Sequence, residues 1–314
     1  MIQVAGVYLF GGITLFSEIV LPELPLIQHE EATPHPVTIR LGDLSNHHLR
    51  GAVEIDPDCF ATASQYFLGV HGIARYLVTN GREIVVSPEA DANPLDVRAW
   101  LLGNIFVALC HQRGLLPLHA CAVSSEPVNG RQGVAAFLAH AGQGKSSLAA
   151  HLAQRGLRVL ADDVCLIDPT PADEILVIPS TPWLKLWRNS LQNLGRQAEG
   201  LERVLSEHDK YRLPLEVAWK REPIRKLVFL ESNEESSSAI RMEEVPRIKA
   251  VPLLMNLTHQ AYVLEATGQL QESFLRCSRV LSQARAYRLI RPWGLDHLQS
   301  TADAVKKFLL EDER

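Results

Sequence analysis

The chain has 314 residues, of which 46% are hydrophobic and 21% are charged, an ordinary composition for a folded protein of about two domains. Its net charge of −5 gives no reason to expect nucleic acid or an anionic membrane as the main partner. No Lys or Arg precedes Arg40, so the apolar N-terminus lacks the positive region of a signal peptide. The apolar run from Ala99 to Cys110 is too short to span a bilayer.

The five cysteines are scattered and form no C-x-x-C pair, so neither a disulfide framework nor a metal cluster is expected. Most of them lie among apolar residues. We therefore interpret them as small core residues of a protein in a reducing cytoplasm.

Residues 1–88 predict a small β-rich domain. Its short apolar segments are Val4–Leu9, Val37–Leu41, Ala74–Thr79 and Glu83–Val86. Asn80-Gly81-Arg82 separates the last two and predicts a hairpin. This part of the chain carries no recognisable catalytic residues, and we interpret it as a platform for substrate or interaction.

Residues 89–314 predict an α/β domain. Apolar residues at helical spacing from Pro94 to Gly114 predict a helix that ends at the glycine. The next predicted elements are the strand Leu115–Val123, a polar turn at Glu126–Gln132, the strand Val134–Ala139, the helix Ser147–Gln154 and the strand Leu157–Leu160. Strands that alternate with helices at this spacing favour a mainly parallel sheet with flanking helices.

The loop AHAGQGKS at 139–146 matches the phosphate-loop pattern G-x-x-x-x-G-K-[ST] except that Ala139 replaces the first glycine. A chance loop is the alternative, but a predicted strand precedes this one and a helix follows it. Such a loop directs backbone N–H groups and the positive end of the helix towards phosphates. Lys145 can reach the β- and γ-phosphates, and the Ser146 hydroxyl can bind Mg²⁺. The predicted nucleotide-binding residues are Ala141, Gly142, Gln143, Gly144, Lys145, Ser146 and Ser147.

Three further residues are candidates for chemistry. Asp162 and Asp163 end a strand, where ligands bind in open parallel sheets, although a solvated turn would look the same in isolation. One carboxylate could hold Mg²⁺ while the other accepts a proton from an attacking hydroxyl. His119 lies in an apolar strand, where a packed core histidine and a partner of the aspartates are about equally expected.

Taken together, these segments resemble the HPr kinase/phosphorylase family, and more closely its kinase-only relatives found beside lasso-peptide precursors. The resemblance rests on LHACAV, AGQGKSS and QRGLRVLADDV, and is extended by LPELP, HQRGLLPLH, PWLKLWRNSL, DKYRLPL and YRLIRPWGL. It implies an HPr kinase-like fold and a serine kinase that uses ATP or GTP with Mg²⁺. The stretch PSTPWLKLWRNSL lacks the glutamate that the bifunctional members use for phosphate release, which favours a one-way kinase.

The resemblance also implies roles for individual residues. His119 would pair with Asp162 as the base towards the substrate serine, and Asp163 would be the partner of Mg²⁺ together with Ser146. The order of the two aspartate roles stays open. Lys210 and Arg212, in DKYRL, would neutralise charge on the transferred phosphoryl group, or form a solvated basic turn.

The expected activity is phosphorylation of a serine in a ribosomal precursor peptide of the lasso type. A kinase for an HPr-like carrier protein or a small molecule, and a non-catalytic module that binds peptide under nucleotide control, are the alternatives. No nucleic-acid or membrane partner is expected. Since the related kinases form hexamers, a homo-oligomer is an open expectation.

Overall fold

The structure is a computed structural model that describes residues 4–124, 133–171, 173–180, 182–216, 219–233 and 239–311. Contacts divide the chain into two compact units. The first comprises Met1–Leu115, Val204–Glu207 and Gln260–Ser273, and the second Leu116–Arg203, His208–His259 and Phe274–Arg314. The predicted turn at 126–132 lies outside the described residues.

The first unit contains an eight-stranded sheet. Its strands are β1 (Gly6–Phe10), β2 (Ile13–Ser17), β3 (Val37–Leu41), β4 (Val53–Asp56), β5 (Cys59–Ala61), β6 (Gln65–Val70), β7 (Ala74–Thr79) and β8 (Glu83–Pro88). They lie in the order β1-β2-β3-β8-β7-β6-β5-β4. The hairpin predicted between β7 and β8 is confirmed, and Asn80 and Gly81 have the positive φ angles that these two residue types tolerate best.

One continuous helical segment follows this sheet. It consists of α1 (Pro94–Trp100), a π-helical turn (Leu101–Ile105) and α2 (Phe106–Gln112). The Asn93 side chain caps its start by accepting a bond from the Leu95 N–H, and Gly114 follows its end with φ 77°. This segment belongs to the first unit. One of its contacts there is the bond that the Tyr76 hydroxyl donates to the Val97 carbonyl at 3.0 Å. The domain boundary between residues 88 and 89 stays a prediction.

The remaining described strands belong to the second unit. They are β9 (Leu116–Ser124), β10 (Val134–Leu138), β11 (Arg158–Ala161), β12 (Val164–Asp168), β13 (Leu176–Ile178), β14 (Trp183–Trp187), β15 (Lys210–Pro214), β16 (Glu222–Asn233), β17 (Arg241–Glu244) and β18 (Arg285–Pro292). The helices after α2 are α3 (Lys145–Gln154), α4 (Arg188–Asn193), α5 (Arg247–Asn256), α6 (Ala261–Ala266), α7 (Leu270–Gln283) and α8 (Leu298–Glu311). Of these, α6 lies in the first unit and α7 begins in it.

The main sheet of the second unit is mixed, so the prediction of a mainly parallel sheet is not confirmed. Among the described strands of this sheet, only β10–β16 and β16–β18 are parallel pairs, whereas β9 is antiparallel to β10, β11 and β12. The connection from Ser124 to Val134 is shorter than the dozen or more residues that a parallel crossover needs, so β9 and β10 pair antiparallel. The coarser prediction of an α/β architecture holds.

Two apolar layers cover the sheet of the second unit. Alternate residues of β9 and β10 face opposite sides, as strand geometry requires. Leu118 and Ala136 pack in the cluster that contains α5 and α7, while Val123 and Phe137 pack in the cluster that contains α3, α8 and β14. Helix α3, which follows the loop at 139–146, is thereby fixed against the sheet along its buried face.

All five cysteines are buried and none of them forms a disulfide, which agrees with their interpretation as core residues. No helix in the described part of the chain combines the length and the apolar character needed to cross a membrane.

Candidate active site

The loop between β10 and α3 has the backbone conformation that its sequence predicts. Gly142 and Gly144 have φ angles of 81° and 74°, which strain any residue with a side chain. Ala139 is not among the residues with positive φ and lies buried, so its methyl group is accommodated in place of the first glycine. Helix α3 begins at Lys145, and its first N–H groups therefore face the loop.

The two signature side chains of the loop point in different directions. The Lys145 ammonium is buried and donates to the carbonyls of Ala139 (2.7 Å) and His140 (3.0 Å), and burial holds its pKa below the ordinary value. The Ser146 hydroxyl donates to Asp162 Oδ1 at 2.7 Å. Lys145 thus remains in the loop, while Ser146 joins the loop to the acidic pair.

Asp162 and Asp163 fill an interruption between β11 and β12. The Val164 N–H donates to the Asp162 carbonyl at 2.8 Å, and Asp163 has φ 68°, so the three residues form a γ-turn. Positive φ at an aspartate is uncommon and strained, and such strain is concentrated at functional sites. The turn gives the two carboxylates different surroundings.

Asp162 is almost fully buried, with 1% of its surface exposed. Its Oδ1 accepts from Ser146, and its Oδ2 accepts from the backbone N–H of Lys185 at 2.7 Å. Burial, and then the charge of Asp163, raise the pKa of Asp162, while these two hydrogen bonds lower it. The carboxylate is therefore fixed in orientation and lies directly beneath the loop hydroxyl.

Asp163 is about one-third exposed and lines the cavity of the site. Its Oδ2 lies 2.8 Å from the Lys185 ammonium, and its Oδ1 lies 3.3 Å from His119 Nε2. Burial alone would raise the pKa of Asp163, but the Lys185 charge and the His119 hydrogen bond hold it well below its ordinary value. Hence the structure pairs His119 with Asp163, where the sequence predicted Asp162.

A second histidine, His259, bonds to the backbone of the turn at Asp163. His259 Nε2 bonds to the Asp163 carbonyl at 2.9 Å, and its ring centroid lies 4.5 Å from that of His119. Burial lowers the pKa of His259 to about 4, so the ring is neutral at physiological pH. His119, Asp163 and His259 each offer a ligand atom, and these atoms lie within 4.8 Å of one another.

The two-stranded sheet of β14 and β15 contributes another wall of the cavity. Lys185 pairs with Arg212 and Trp187 pairs with Lys210, so all four side chains lie on one face. Lys210 lines the cavity, with its ammonium 5.8 Å from the Trp187 ring centroid. Arg212 does not: it is buried, donates to Glu202 Oε2 at 2.7 Å and lies over another tryptophan.

Most of the remaining predicted residues line the cavity, and one does not. Ala141, Gly142 and Gly144 line the cavity, and Ser147 lines it while contacting the hydroxyl of Ser190 at 3.0 Å. Gln143 is not one of the described lining residues, and its carbonyl accepts a bond from Arg291 Nη2 at 2.8 Å. The structure therefore brings together every predicted site residue except Arg212 and Gln143, with Asp162 below the cavity surface.

The cavity has a volume of about 300 Å³ and is strongly cationic. Among its described lining residues, the cations are Lys145, Lys185, Lys210 and Arg291, and the one carboxylate is Asp163. This excess of positive charge occurs in a chain whose net charge is −5. An anion with several negative charges is the ligand that such a lining favours.

Sequence reasoning did not single out Lys185, Trp187, His259, Arg291 or Trp293. The pattern Trp-Leu-Lys-Leu-Trp at 183–187 does signal a strand with one polar face, and that signal could have identified Lys185. No such signal marks His259, which lies between the end of α5 at Asn256 and the start of α6 at Ala261.

By its geometry, this is a site that can hold a polyphosphate beside a carboxylate–histidine pair able to accept a proton.

Among solved structures, the chain is similar to the HPr(Ser) kinase/phosphatase from Coxiella burnetii, with a TM-score of 0.32 and 11% identity over 63% of this chain and 99% of that chain. A likeness at that TM-score supports no functional conclusion. No protein-family model and no curated protein matches the chain.

Proposed function

We propose that this protein transfers the γ-phosphoryl group of ATP, or of GTP, to a serine hydroxyl of a ribosomal precursor peptide of the lasso type, with Mg²⁺. One observation carries the proposal. The phosphate-loop hydroxyl of Ser146 is hydrogen-bonded to Asp162, and the next residue, Asp163, faces the same cavity paired with His119. Phosphoryl transfer needs these parts side by side, because the base must lie near the γ-phosphate.

The phosphate loop and the cavity cations would hold the triphosphate. The first N–H groups of α3 and the loop backbone provide donors, and the left-handed glycines let phosphate oxygens approach closely. Lys145 now bonds to loop carbonyls, and an entering phosphate offers it a charged acceptor in their place. Lys185 and Lys210 would neutralise charge that develops on the transferred group.

Mg²⁺ prefers oxygen ligands, and the residues present fit that preference. The Ser146 hydroxyl and the Asp162 carboxylate, already 2.7 Å apart, would hold it directly or through water. When bound, the ion would neutralise negative charge on the β- and γ-phosphates. Asp163, the metal ligand expected from the resemblance, is engaged by Lys185 and His119 and suits a different role.

Asp163 would accept the proton of the substrate serine. Its depressed pKa keeps it ionised at neutral pH, and His119 fixes the orientation of Oδ1. The serine oxygen bonds to the γ-phosphorus, the bond from that phosphorus to the β–γ bridging oxygen breaks, and the hydroxyl proton moves to Asp163. Because the Lys185 ammonium can turn towards the phosphates, nucleotide binding would weaken its hold on Asp163 and make the carboxylate a stronger base.

The resemblance of several segments, in order along the chain, supports a peptide serine as the acceptor. The test is to incubate the protein with ATP, Mg²⁺ and the precursor peptide encoded next to its gene, and to follow the peptide mass. One added phosphoryl group on the peptide, and none on its serine-to-alanine variant, is the expected result. Transfer only to an HPr-like protein or a small molecule would refute the peptide substrate.

Matched variants separate catalysis from binding. Asn tolerates positive φ, so Asp163→Asn should keep the turn and nucleotide affinity while transfer falls by at least about 100-fold. Asp162→Asn should instead weaken Mg²⁺ binding, so that transfer requires a higher Mg²⁺ concentration. Lys145→Ala should abolish ATP binding. If Asp163→Asn transfers phosphate at the wild-type rate, Asp163 is not the base. If no acceptor is modified although ATP binds, the protein is a binding module.

A further inference from the structure

The residues that line the cavity are of two chemical kinds. The first kind comprises the polar residues of the loop and Asp163. The second comprises Trp293, Gly294, Leu295 and Leu298, which lie close together in the chain between the end of β18 and the start of α8. These residues offer an aromatic ring and two aliphatic side chains but no charged side chain.

Trp293 is an exposed aromatic residue of the cavity wall. With 54% of its surface accessible, its indole is open to a ligand, although the side chain belongs to the cavity wall. An exposed aromatic surface next to a cationic phosphate site is the arrangement on which nucleobases stack. The positive φ of Gly294, 116°, lets the chain turn directly after the tryptophan.

Arg291 contacts both Trp293 and the phosphate loop. Its guanidinium carbon lies 5.9 Å from the Trp293 ring centroid, within cation–π range, and its Nη2 donates to the Gln143 carbonyl at 2.8 Å. Arg291 is almost fully buried, so this connection is fixed in position. Trp293 is therefore held at a defined place relative to the loop that would grip the phosphates.

We infer that Trp293 is the stacking surface for the nucleobase of the nucleoside triphosphate, and that Leu295 and Leu298 form the apolar side of this subsite. The inference rests on the proposed function, because the base is located relative to a triphosphate in the loop. It adds a residue that contacts the part of the nucleotide that the phosphate loop cannot recognise.

Trp187, the other tryptophan of the lining, is less suited to this role. It lies on the same strand face as Lys185, whose ammonium bonds to Asp163, and next to Lys210. The γ-phosphate and the acceptor serine would meet the proposed base beside these residues. A base stacked on Trp187 would occupy the space that the acceptor needs.

The test uses calorimetry on the full-length protein with Mg²⁺ and either ATP or inorganic tripolyphosphate. Wild type should bind ATP more tightly than tripolyphosphate. Trp293→Ala should weaken ATP binding by about 5- to 100-fold, the usual loss on removing a stacked aromatic ring, and leave tripolyphosphate binding within about twofold of wild type. Trp293→Phe should restore most of the ATP affinity, because phenylalanine keeps an aromatic face.

Two tryptophan variants act as controls. Trp219 is also exposed but lies outside the described lining of the cavity, so Trp219→Ala should bind both ligands as wild type does. A loss of ATP affinity in Trp187→Ala but not in Trp293→Ala would overturn the inference, as would equal affinity of wild type for ATP and tripolyphosphate. If wild type bound neither ligand, the proposed function itself would be refuted, and the nucleobase subsite with it.

Discussion

Replacing Lys185 by methionine removes the ammonium that lies 2.8 Å from Asp163 Oδ2 and keeps a side chain of similar length. The Lys185 backbone N–H, which donates to Asp162 Oδ2 at 2.7 Å, is retained. The substitution therefore removes the charge beside Asp163 and leaves the bond that orients Asp162. Any change in the protonation of Asp163 can then be assigned to that charge.

The size of the effect follows from the surroundings of the pair. An opposite charge this close lowers an aspartate pKa by about 1–3 pH units, which corresponds to about 1.4–4 kcal/mol. The side chains of Lys185 and Asp163 are 16% and 32% exposed, so solvent screens part of the attraction. We expect Lys185→Met to lower the free energy of unfolding by about 1–2 kcal/mol at pH 7.

The stability difference between wild type and Lys185→Met should depend on pH. Because the folded-state pKa of Asp163 is depressed, the pair stabilises the folded protein above the unfolded-state pKa of about 3.9 and ceases to do so as the pH falls through the folded-state value. Urea unfolding of wild type and Lys185→Met should differ at pH 7 and converge as the pH falls below about 4. In a transfer assay, the acid limb of the pH–rate profile should move to higher pH in the variant.

Lys210→Met is the matched control. Lys210 also lines the cavity, but its ammonium lies by the Trp187 ring, so its loss should leave the pH dependence assigned to Asp163 unchanged. A Lys185→Met variant that differs from wild type by the same amount at pH 7 and at pH 3 would refute the reasoning. So would an identical pH response in the two variants.

Two further predictions concern the backbone of the site and its second histidine. Gly144→Ala should destabilise the protein by about 1–3 kcal/mol and weaken ATP binding at least about tenfold, because φ at Gly144 is 74° and the new Cβ would lie 2.9 Å from Arg291 Nη2. Gly195→Ala is the control: φ at Gly195 is 69° and its Cβ would meet open space, so this variant measures the backbone strain alone. His259→Gln should flatten the loss of stability between about pH 6.5 and pH 4, by at most about 3 kcal/mol, because wild-type His259 stays neutral when folded while the unfolded chain takes up a proton. Urea unfolding measured across this pH range tests it, and an unchanged slope in the variant would contradict it.

Local patterns predicted the parts of the fold that neighbouring residues determine. The hairpin at Asn80-Gly81 and the loop at Gly142 and Gly144 depend on positive φ angles, which glycine and asparagine mark in the sequence. The strand Val37–Leu41 was predicted with the bounds that the structure shows. In each of these cases the physical cause lies within a few residues of its signal.

Long-range pairing could not be predicted in the same way. The direction of β9 depends on which strands flank it, and its sequence is apolar on both faces apart from His119 and Ser124. The position of Lys185 opposite Asp163 depends on the packing of a separate two-stranded sheet, since β14 pairs only with β15 among the described strands. Strand periodicity predicts which face a side chain occupies but not which residue lies across from it.

The pairing of His119 with Asp163 follows from the interruption between β11 and β12. On one edge, strand β9 pairs with β12 up to His119, opposite Val164, and with β11 from Ala122, opposite Ala161. In a regular antiparallel ladder, Asp163 would follow on from Val164 and project to the opposite face from His119. The positive φ at Asp163 breaks that alternation, and its Oδ1 lies 3.3 Å from His119 Nε2. The strained turn is therefore the structural condition for the pair, and a β-branched residue at 163 would remove both the carboxylate and the turn that places it.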